Sequence, residues 1–136
     1  MMKNQSSVLP PTSREAIRIL LLDSHTLVRD GLRRLIDDQP DLEIIGEAGS
    51  LNQACAITAA MKPDIILLEL NLDGVVDLQV IPALLQASPT SRILLVTSLN
   101  ENQLFQKAVH LGIMGVLRKE ESSQALLKAI RKVNAG

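Results

Sequence analysis

Short aliphatic runs alternate five times along this chain with longer segments whose apolar residues recur at helical spacing. This alternation is typical of repeated strand–helix units, in which each helix crosses the sheet and successive strands run parallel. The predicted strands are residues 17–22, 43–47, 65–68, 93–96 and 116–117, and the third and fourth are apolar throughout. Strands of that kind are buried on both faces. The sequence therefore predicts an α/β fold with a five-stranded parallel sheet covered by helices on both sides.

Five apolar stripes at helical spacing predict the helices that follow these strands. In chain order, the stripes are Leu27, Val28, Leu32, Leu35 and Ile36; Leu51, Ala54, Cys55, Thr58 and Met61; Val80, Ile81, Leu84 and Leu85; Leu104, Phe105, Ala108, Val109 and Leu111; and Ala125, Leu126, Ala129, Ile130 and Val133. Pro82 interrupts the third stripe, and because proline has no amide donor it predicts a late start or a kink in that helix. Ser122 or Ser123 is the expected N-cap of the fifth helix.

The length and composition fit one folded domain. The chain has 136 residues, of which 46% are hydrophobic, and a formal net charge of −1 at pH 7. This is sufficient for one sizeable core, but the chain is too short for a second folded domain. Residues 1–14 combine Ser, Asn and Gln with Pro10 and Pro11, a composition that buries little and predicts a flexible tail. The folded domain is expected over residues 15–136.

Composition also excludes several classes of function. Phe105 is the only aromatic residue, so stacking on nucleic-acid bases is not expected. The 14 Lys and Arg residues are dispersed among 15 Asp and Glu residues, which leaves no basic patch for DNA or a membrane surface. Cys55 has no second cysteine with which to form a disulfide. The apolar runs are shorter than a membrane span and the polar start does not resemble a signal peptide, so the expected location is the cytoplasm.

The residues that could carry chemistry follow the predicted strands. Asp23 comes after the first strand, Glu69 after the third and Thr97 after the fourth, and Lys119 lies two residues beyond the fifth. In an open parallel sheet, ligands bind beyond the carboxyl ends of the strands, near the point where the strand order reverses. Two acids, a hydroxyl and a lysine are therefore predicted to converge on one edge of the sheet.

This ordered set of residues resembles the phosphorylation site of the receiver domain of response regulators. The resemblance extends over residues 17–133 and includes the run KPDIILLELNLDG at residues 62–74. The runs DSHTLVRDGL at residues 23–32 and VLRKEESSQALLKAI at residues 116–130 are most similar to the NarL/FixJ subfamily. Receivers of that subfamily precede a helix-turn-helix DNA-binding domain of LuxR type. The resemblance implies a doubly wound, flavodoxin-like sheet.

The resemblance also assigns an acceptor and a metal site. Glu69 stands where the family has the aspartate that accepts a phosphoryl group. Asp23 and Ser24 stand where it has a pair of Mg²⁺-binding acids, and the backbone carbonyl of Asn71 corresponds to a further Mg²⁺ ligand. Because Ser24 provides no carboxylate, Asp23 is left as a weak metal ligand. The site is expected to bind Mg²⁺ weakly and to require no cofactor.

The remaining positions concern contact with the phosphoryl group and signalling. Thr97 and Lys119 correspond to residues that hold phosphoryl oxygens, and Val116 replaces an aromatic switch residue whose rotation an aliphatic side chain cannot imitate. Glu69 has one methylene more than aspartate, and misplacing a reacting group by about 1 Å can cost about 100-fold in rate. The same extra length lets Glu69 reach Lys119 or Thr97 and imitate a phosphoryl group. Phosphorylation is therefore expected to be impaired or lost.

The resemblance implies a signalling domain of a two-component transcription regulator and not an enzyme. Its expected partners are a second copy of the chain, a histidine kinase and its own C-terminal helix-turn-helix domain, which would make the DNA contacts. Two alternatives stay open, namely a phosphorylation-competent switch with Glu69 as an unusual acceptor and a stand-alone adaptor that acts through protein contacts. In a simpler interpretation, Glu69 is only a strand-end acid paired with Lys119.

Three further residues suggest binding sites but favour ordinary structural roles. His25 follows a strand and is expected to lie at the start of a helix, without a catalytic role. Asp73 and Asp77 lack the spacing of a calcium-binding loop, so they are expected to serve in a turn and in a helix cap.

Overall fold

The computed structural model describes residues 16–136, and its central feature is a parallel sheet. The strands are β1 (Ile17–Leu22), β2 (Leu42–Ala48), β3 (Ile65–Leu68), β4 (Arg92–Thr97) and β5 (Gly115–Arg118). Their order is β2-β1-β3-β4-β5, so the direction in which the sheet grows reverses between β1 and β3. This is the doubly wound, flavodoxin-like arrangement, and the predicted fold class is confirmed. The predicted tail, residues 1–14, lies outside the described residues, and the domain boundary at residue 15 stays a prediction.

Helices cover both faces of the sheet, as predicted. They are α1 (Thr26–Asp37), α2 (Leu51–Met61), α3 (Val80–Ala87), α4 (Asn102–Leu111) and α5 (Ser123–Ala135). Side chains of β1 alternate between two apolar clusters, since Leu20 and Leu22 pack with α2, α3 and α4, whereas Ile19 and Leu21 pack with α1 and α5. Both clusters are aliphatic apart from Cys55 and Phe105 in the first. Within residues 16–136, no helix is both long and apolar enough to cross a membrane.

The register of the sheet aligns the strand ends that carry the site. Leu22 of β1 is paired with Leu68 of β3, and Leu68 is in turn paired with Leu95 of β4. The residues that follow Leu22 and Leu68 are Asp23 and Glu69, so the two acids emerge side by side at the point where the strand order reverses. The sheet thus provides a rigid platform for both carboxylates.

The predicted helical stripes differ from the buried faces mainly near helix ends. Leu27, in the first turn of α1, is 85% exposed, and Met61 at the end of α2 and Val109 on α4 are also exposed. By contrast, Ile57 of α2 and Leu127 of α5 pack against the core, although the stripes omit them. Periodicity identifies the face of a helix but not the extent of the neighbours that cover it, and this explains the differences.

Pro82 lies where a proline is tolerated in a helix. The helix α3 begins at Val80, so Pro82 falls in its first turn. Amide groups of the first turn have no carbonyl partner within the helix, and the missing donor of proline therefore costs no hydrogen bond there. The late start explains the proline, and no kink is required.

A short hairpin after β3 is a feature that the strand predictions do not contain. It pairs Asn71–Leu72 with Val75–Val76 in antiparallel fashion. The turn residues Asp73 and Gly74 have φ angles of 54° and 83°. Two successive positive φ angles are characteristic of a type I′ turn, for which Asp-Gly is a favoured pair. The role of Asp73 as a turn residue is therefore confirmed.

Candidate functional site

Glu69 is buried, and both of its carboxylate oxygens accept hydrogen bonds from the protein. The residue is 2% exposed. Its Oε2 atom accepts hydrogen bonds from the Thr97 hydroxyl at 2.7 Å and from the Asn71 amide at 3.0 Å. Its Oε1 atom accepts from the Lys119 ammonium at 3.0 Å and from the Ser98 amide at 3.3 Å. Four donors therefore fix this carboxylate in one orientation.

Lys119 connects the two buried acids. Its Nζ atom lies 2.7 Å from Asp23 Oδ2 and 3.0 Å from Glu69 Oε1. The backbone is held as well, because the Lys119 amide donates to the Thr97 carbonyl at 2.8 Å at the end of the β4–β5 pair. With Lys119 protonated, two carboxylates face one ammonium group, and this group of three residues carries a net charge of −1. The predicted contact between Glu69 and either Lys119 or Thr97 is made to both.

The environment of Lys119 favours its charged form. Burial is the largest single influence and lowers the pKa of Lys119. Hydrogen bonds to Asp23 and Glu69, together with the negative charges of these acids, act in the opposite direction and outweigh burial. The pKa of Lys119 consequently lies above its ordinary value of 10.5.

The raised pKa of Lys119 predicts a loss of stability at alkaline pH. The folded protein binds this proton more tightly than the unfolded chain does, so the stabilisation is complete below about pH 10.5 and is lost as the pH rises through the folded-state pKa. Urea unfolding of the wild type and of Lys119→Met measures this. The difference between their free energies of unfolding should be constant up to about pH 10 and then shrink. A difference that persists unchanged at higher pH contradicts the expectation.

Asp23 is held by the start of α1. Its Oδ1 atom accepts from the His25 amide at 2.8 Å, and the His25 Nδ1 atom lies 3.3 Å from the same oxygen. The Arg29 guanidinium donates to the backbone carbonyl of Asp23 and also pairs with Glu47 of β2 at 3.2 Å. His25 is the N-cap residue of α1, as expected of a helix-start residue. The contacts of His25 with Asp23 help to orient the acid.

Ser24 and Val116 make no hydrogen bond to the two carboxylates, and Asn71 contributes its backbone amide rather than its carbonyl. Ser24 turns to the hairpin, where its hydroxyl accepts from the Asp73 amide at 3.2 Å. Asn71 contributes its amide to Glu69, and its side-chain oxygen is buried without a partner among the described residues. Val116 is half-buried against the apolar cluster beneath α4. The structure therefore brings together Asp23, Glu69, Thr97 and Lys119, with Ser24 and Val116 at the periphery.

Sequence reasoning did not identify the backbone donors of the site. The amides of Asn71 and Ser98 complete the shell around Glu69. Every residue except proline carries an amide, so no side-chain pattern distinguishes these two from their neighbours. The guanidinium of Arg29 was also missed, because a helix arginine near a strand end resembles any solvated charge.

The two buried acids are engaged by donors of the protein and do not form a preformed cluster of metal-binding side chains. Among residues 16–136, no group of three or more His, Cys, Asp or Glu side chains could hold a metal ion. Each carboxylate oxygen of Asp23 and Glu69 already accepts a hydrogen bond from the protein. Mg²⁺ requires near-octahedral oxygen coordination and loses its water reluctantly. A cation at this site would share these oxygens with Lys119 and the amides.

Taken together, the flavodoxin-like sheet and the two acids, hydroxyl and lysine at its strand ends define a receiver-type signalling domain. Comparison with protein families leads to the same class, because residues 19–131 match the response regulator receiver domain. The chain belongs to this family, and its relatives place it with two-component response regulators of NarL/LuxR type.

Two relatives and one solved structure illustrate the similarity. The nitrate/nitrite response regulator protein NarL of Escherichia coli (strain K12) is 33% identical over 125 residues, which cover 92% of this chain and 58% of that protein. The DNA-binding transcriptional activator DevR/DosR of Mycobacterium tuberculosis is 32% identical over 120 residues, covering 88% and 55%. The crystal structure of a LuxR-family two-component response regulator from Aurantimonas sp. SI85-9A1 has a TM-score of 0.83 and 30% identity, covering 89% and 86%. This chain therefore spans little more than half the length of the first two relatives.

Proposed function

We propose that this receiver domain is no longer phosphorylated efficiently and that the Glu69 carboxylate takes the place of the phosphoryl group in signalling. The observation that carries the proposal is the shell around Glu69, in which four donors occupy both carboxylate oxygens. A nucleophile must present a free lone pair to the phosphorus atom, and here each oxygen of the carboxylate is bound by two donors. Attack by Glu69 would first require hydrogen bonds from Lys119, Thr97 or the amides to break.

The geometry also supports an imitation of the phosphorylated state. In the resemblance described above, Thr97 and Lys119 are the residues that hold phosphoryl oxygens, and both contact Glu69 here. The imitation is partial, because a phosphoryl group carries about −1.5 to −2 charges and three acceptor oxygens, whereas a carboxylate carries one charge and two oxygens. Val116 cannot provide an aromatic rotation, so the state of the site must be transmitted by the backbone and packing around it.

The proposed output is protein contact. The chain spans 55% of DevR/DosR, a protein whose name describes a DNA-binding transcriptional activator. By analogy, we propose that this domain acts through dimerisation and through control of a helix-turn-helix domain outside the present sequence. The helices α1, α4 and α5 provide the candidate surfaces, and a contact there would cover the exposed apolar side chains of Leu27 on α1 and Val109 on α4. A histidine kinase would be a partner only if phosphotransfer survives.

Intact-mass measurement tests the proposal. The wild-type domain and the variant carrying Ser24→Asp and Glu69→Asp are incubated with Mg²⁺ and acetyl phosphate, and each is then weighed. We expect no phosphoryl adduct on the wild type and an adduct on the double variant, because the variant regains the second metal carboxylate and the shorter acceptor. Hydroxylamine, which cleaves acyl phosphates, should remove the adduct.

A wild-type adduct that hydroxylamine removes and that Glu69→Gln abolishes would overturn the proposal. It would show instead a working switch with glutamate as acceptor. Circular dichroism of both proteins before the reaction serves as the control, since an unfolded double variant would also lack an adduct.

A further inference from the structure

The hairpin after β3 crosses between the two strand ends that carry the buried acids. Its Asn71 amide donates to Glu69 Oε2 at 3.0 Å, directly after β3. Its Asp73 amide donates to Ser24 Oγ at 3.2 Å, in the loop between β1 and α1. The hairpin therefore links the end of β3, where Glu69 lies, to the loop after β1, where Asp23 and Ser24 lie.

The two acids are buried, whereas the second arm of the hairpin is exposed to solvent. Asp23 and Glu69 are 3% and 2% exposed. Val75 and Val76, on the second arm of the hairpin, are both exposed, and Leu72 packs against the core from the first arm. A segment attached by a few hydrogen bonds and one apolar side chain can open locally without unfolding of the domain.

The turn sequence favours the closed conformation of the hairpin. Asp73 and Gly74 adopt the positive φ angles of a type I′ turn, and this turn brings Asn71 back into register with Val76. The resemblance places Asp-Gly where the receiver family commonly has Pro-Gly. A proline at residue 73 would have no amide to donate to Ser24. A receiver domain with the usual Pro-Gly pair therefore cannot form the hydrogen bond that joins Asp73 and Ser24 in this chain.

We propose that residues 71–76 form a strap that closes the site over Glu69 and limits the access of water, cations and phosphate donors. This inference rests on the proposed function, because a carboxylate that replaces a phosphoryl group contacts Thr97 and Lys119 together only while it keeps one orientation. The Ser24 hydroxyl keeps the strap closed by accepting the hydrogen bond from the Asp73 amide. The family has a metal-binding acid at this position.

Amide hydrogen exchange measured by NMR, with carboxyl labelling as a second readout, tests the strap. The proteins are the wild type, Ser24→Ala, Ser24→Thr, which retains a hydroxyl, and Ser123→Ala as a matched control at an exposed serine that starts α5. Ser24→Ala should accelerate exchange of both the Asn71 and the Asp73 amides by about 2- to 10-fold, the effect of losing one ordinary hydrogen bond from the closed state. Ser24→Thr and Ser123→Ala should exchange like the wild type.

Carboxyl labelling follows the exposure of Glu69 itself. With a water-soluble carbodiimide and glycinamide, peptide mass spectrometry should find that Glu69 is modified about 2- to 10-fold faster in Ser24→Ala than in the wild type. Faster exchange at Asp73 alone, with Asn71 and Glu69 unchanged, would overturn the strap, because the hairpin would then open without uncovering the site. A phosphoryl adduct on the wild type contradicts the proposed function in a separate measurement, so the two failures are distinguishable.

Discussion

Replacing Lys119 with methionine should lower the free energy of unfolding by about 3 kcal/mol, the low end of the range for breaking a buried ion pair. The low end applies because the Lys119 side chain is 21% exposed, whereas the Asp23 and Glu69 side chains are 4% and 3% exposed. Without the ammonium group, two buried carboxylates would face each other with no cation between them. Urea unfolding followed by far-UV circular dichroism at neutral pH measures the loss.

A double-mutant cycle distinguishes charge compensation from lost packing. Glu69→Gln removes one negative charge and keeps the size of the side chain, so Lys119→Met should cost at least about 1 kcal/mol less in that background than in the wild type. Lys128→Met, at an exposed lysine on α5, is the matched control and should be nearly neutral. Equal costs of Lys119→Met in both backgrounds would mean that Lys119 acts through packing alone.

Most of the fold follows from patterns that the chain repeats. Residues 17–22 and 65–68 are predicted as strands with the same bounds that the structure shows. The other three strands are each longer by one residue at both ends, as in β4, which extends from Arg92 to Thr97. Aliphatic runs identify buried backbone, but polar end residues such as Arg92, Thr97 and Arg118 carry no such signal, and a single apolar residue at a strand end is not distinguished from one in a loop. The bounds are therefore less certain than the existence of the strands.

The candidate site was predictable to the extent that it depends on side-chain type and strand order. Asp23, Glu69, Thr97 and Lys119 meet as expected because parallel strands deliver their carboxyl ends to one edge. The amide donors and the strap were not predictable in the same way. The Asn71 amide and the hairpin depend on the backbone conformation of residues 71–76, which Asp73 and Gly74 permit, whereas the Ser98 amide depends on the backbone that follows β4.

The rate of phosphorylation by acetyl phosphate should rise stepwise as the site is returned to the usual pattern. Glu69→Asp alone shortens the acceptor by one methylene and should raise the initial rate, since a misplacement of about 1 Å can cost about 100-fold. It also removes the reach that lets Glu69 contact Thr97 and Lys119 together. Yet Ser24 still provides no second metal carboxylate, and Mg²⁺ binding stays weak.

Adding Ser24→Asp to Glu69→Asp should raise the rate further and bring the total gain to about 100-fold or more over the wild type. Ser24→Asp alone is the informative control. It restores the metal carboxylate, whereas the acceptor position still has the longer Glu69 side chain, held by Thr97 and Lys119. It should gain little if the position of the acceptor limits the reaction. A mass-spectrometric time course at fixed Mg²⁺ gives initial rates for the variants and an upper limit for the wild type, with which the gains are compared. A double variant no faster than the wild type would show that neither Glu69 nor Ser24 limits phosphotransfer, and the account of the site would be wrong.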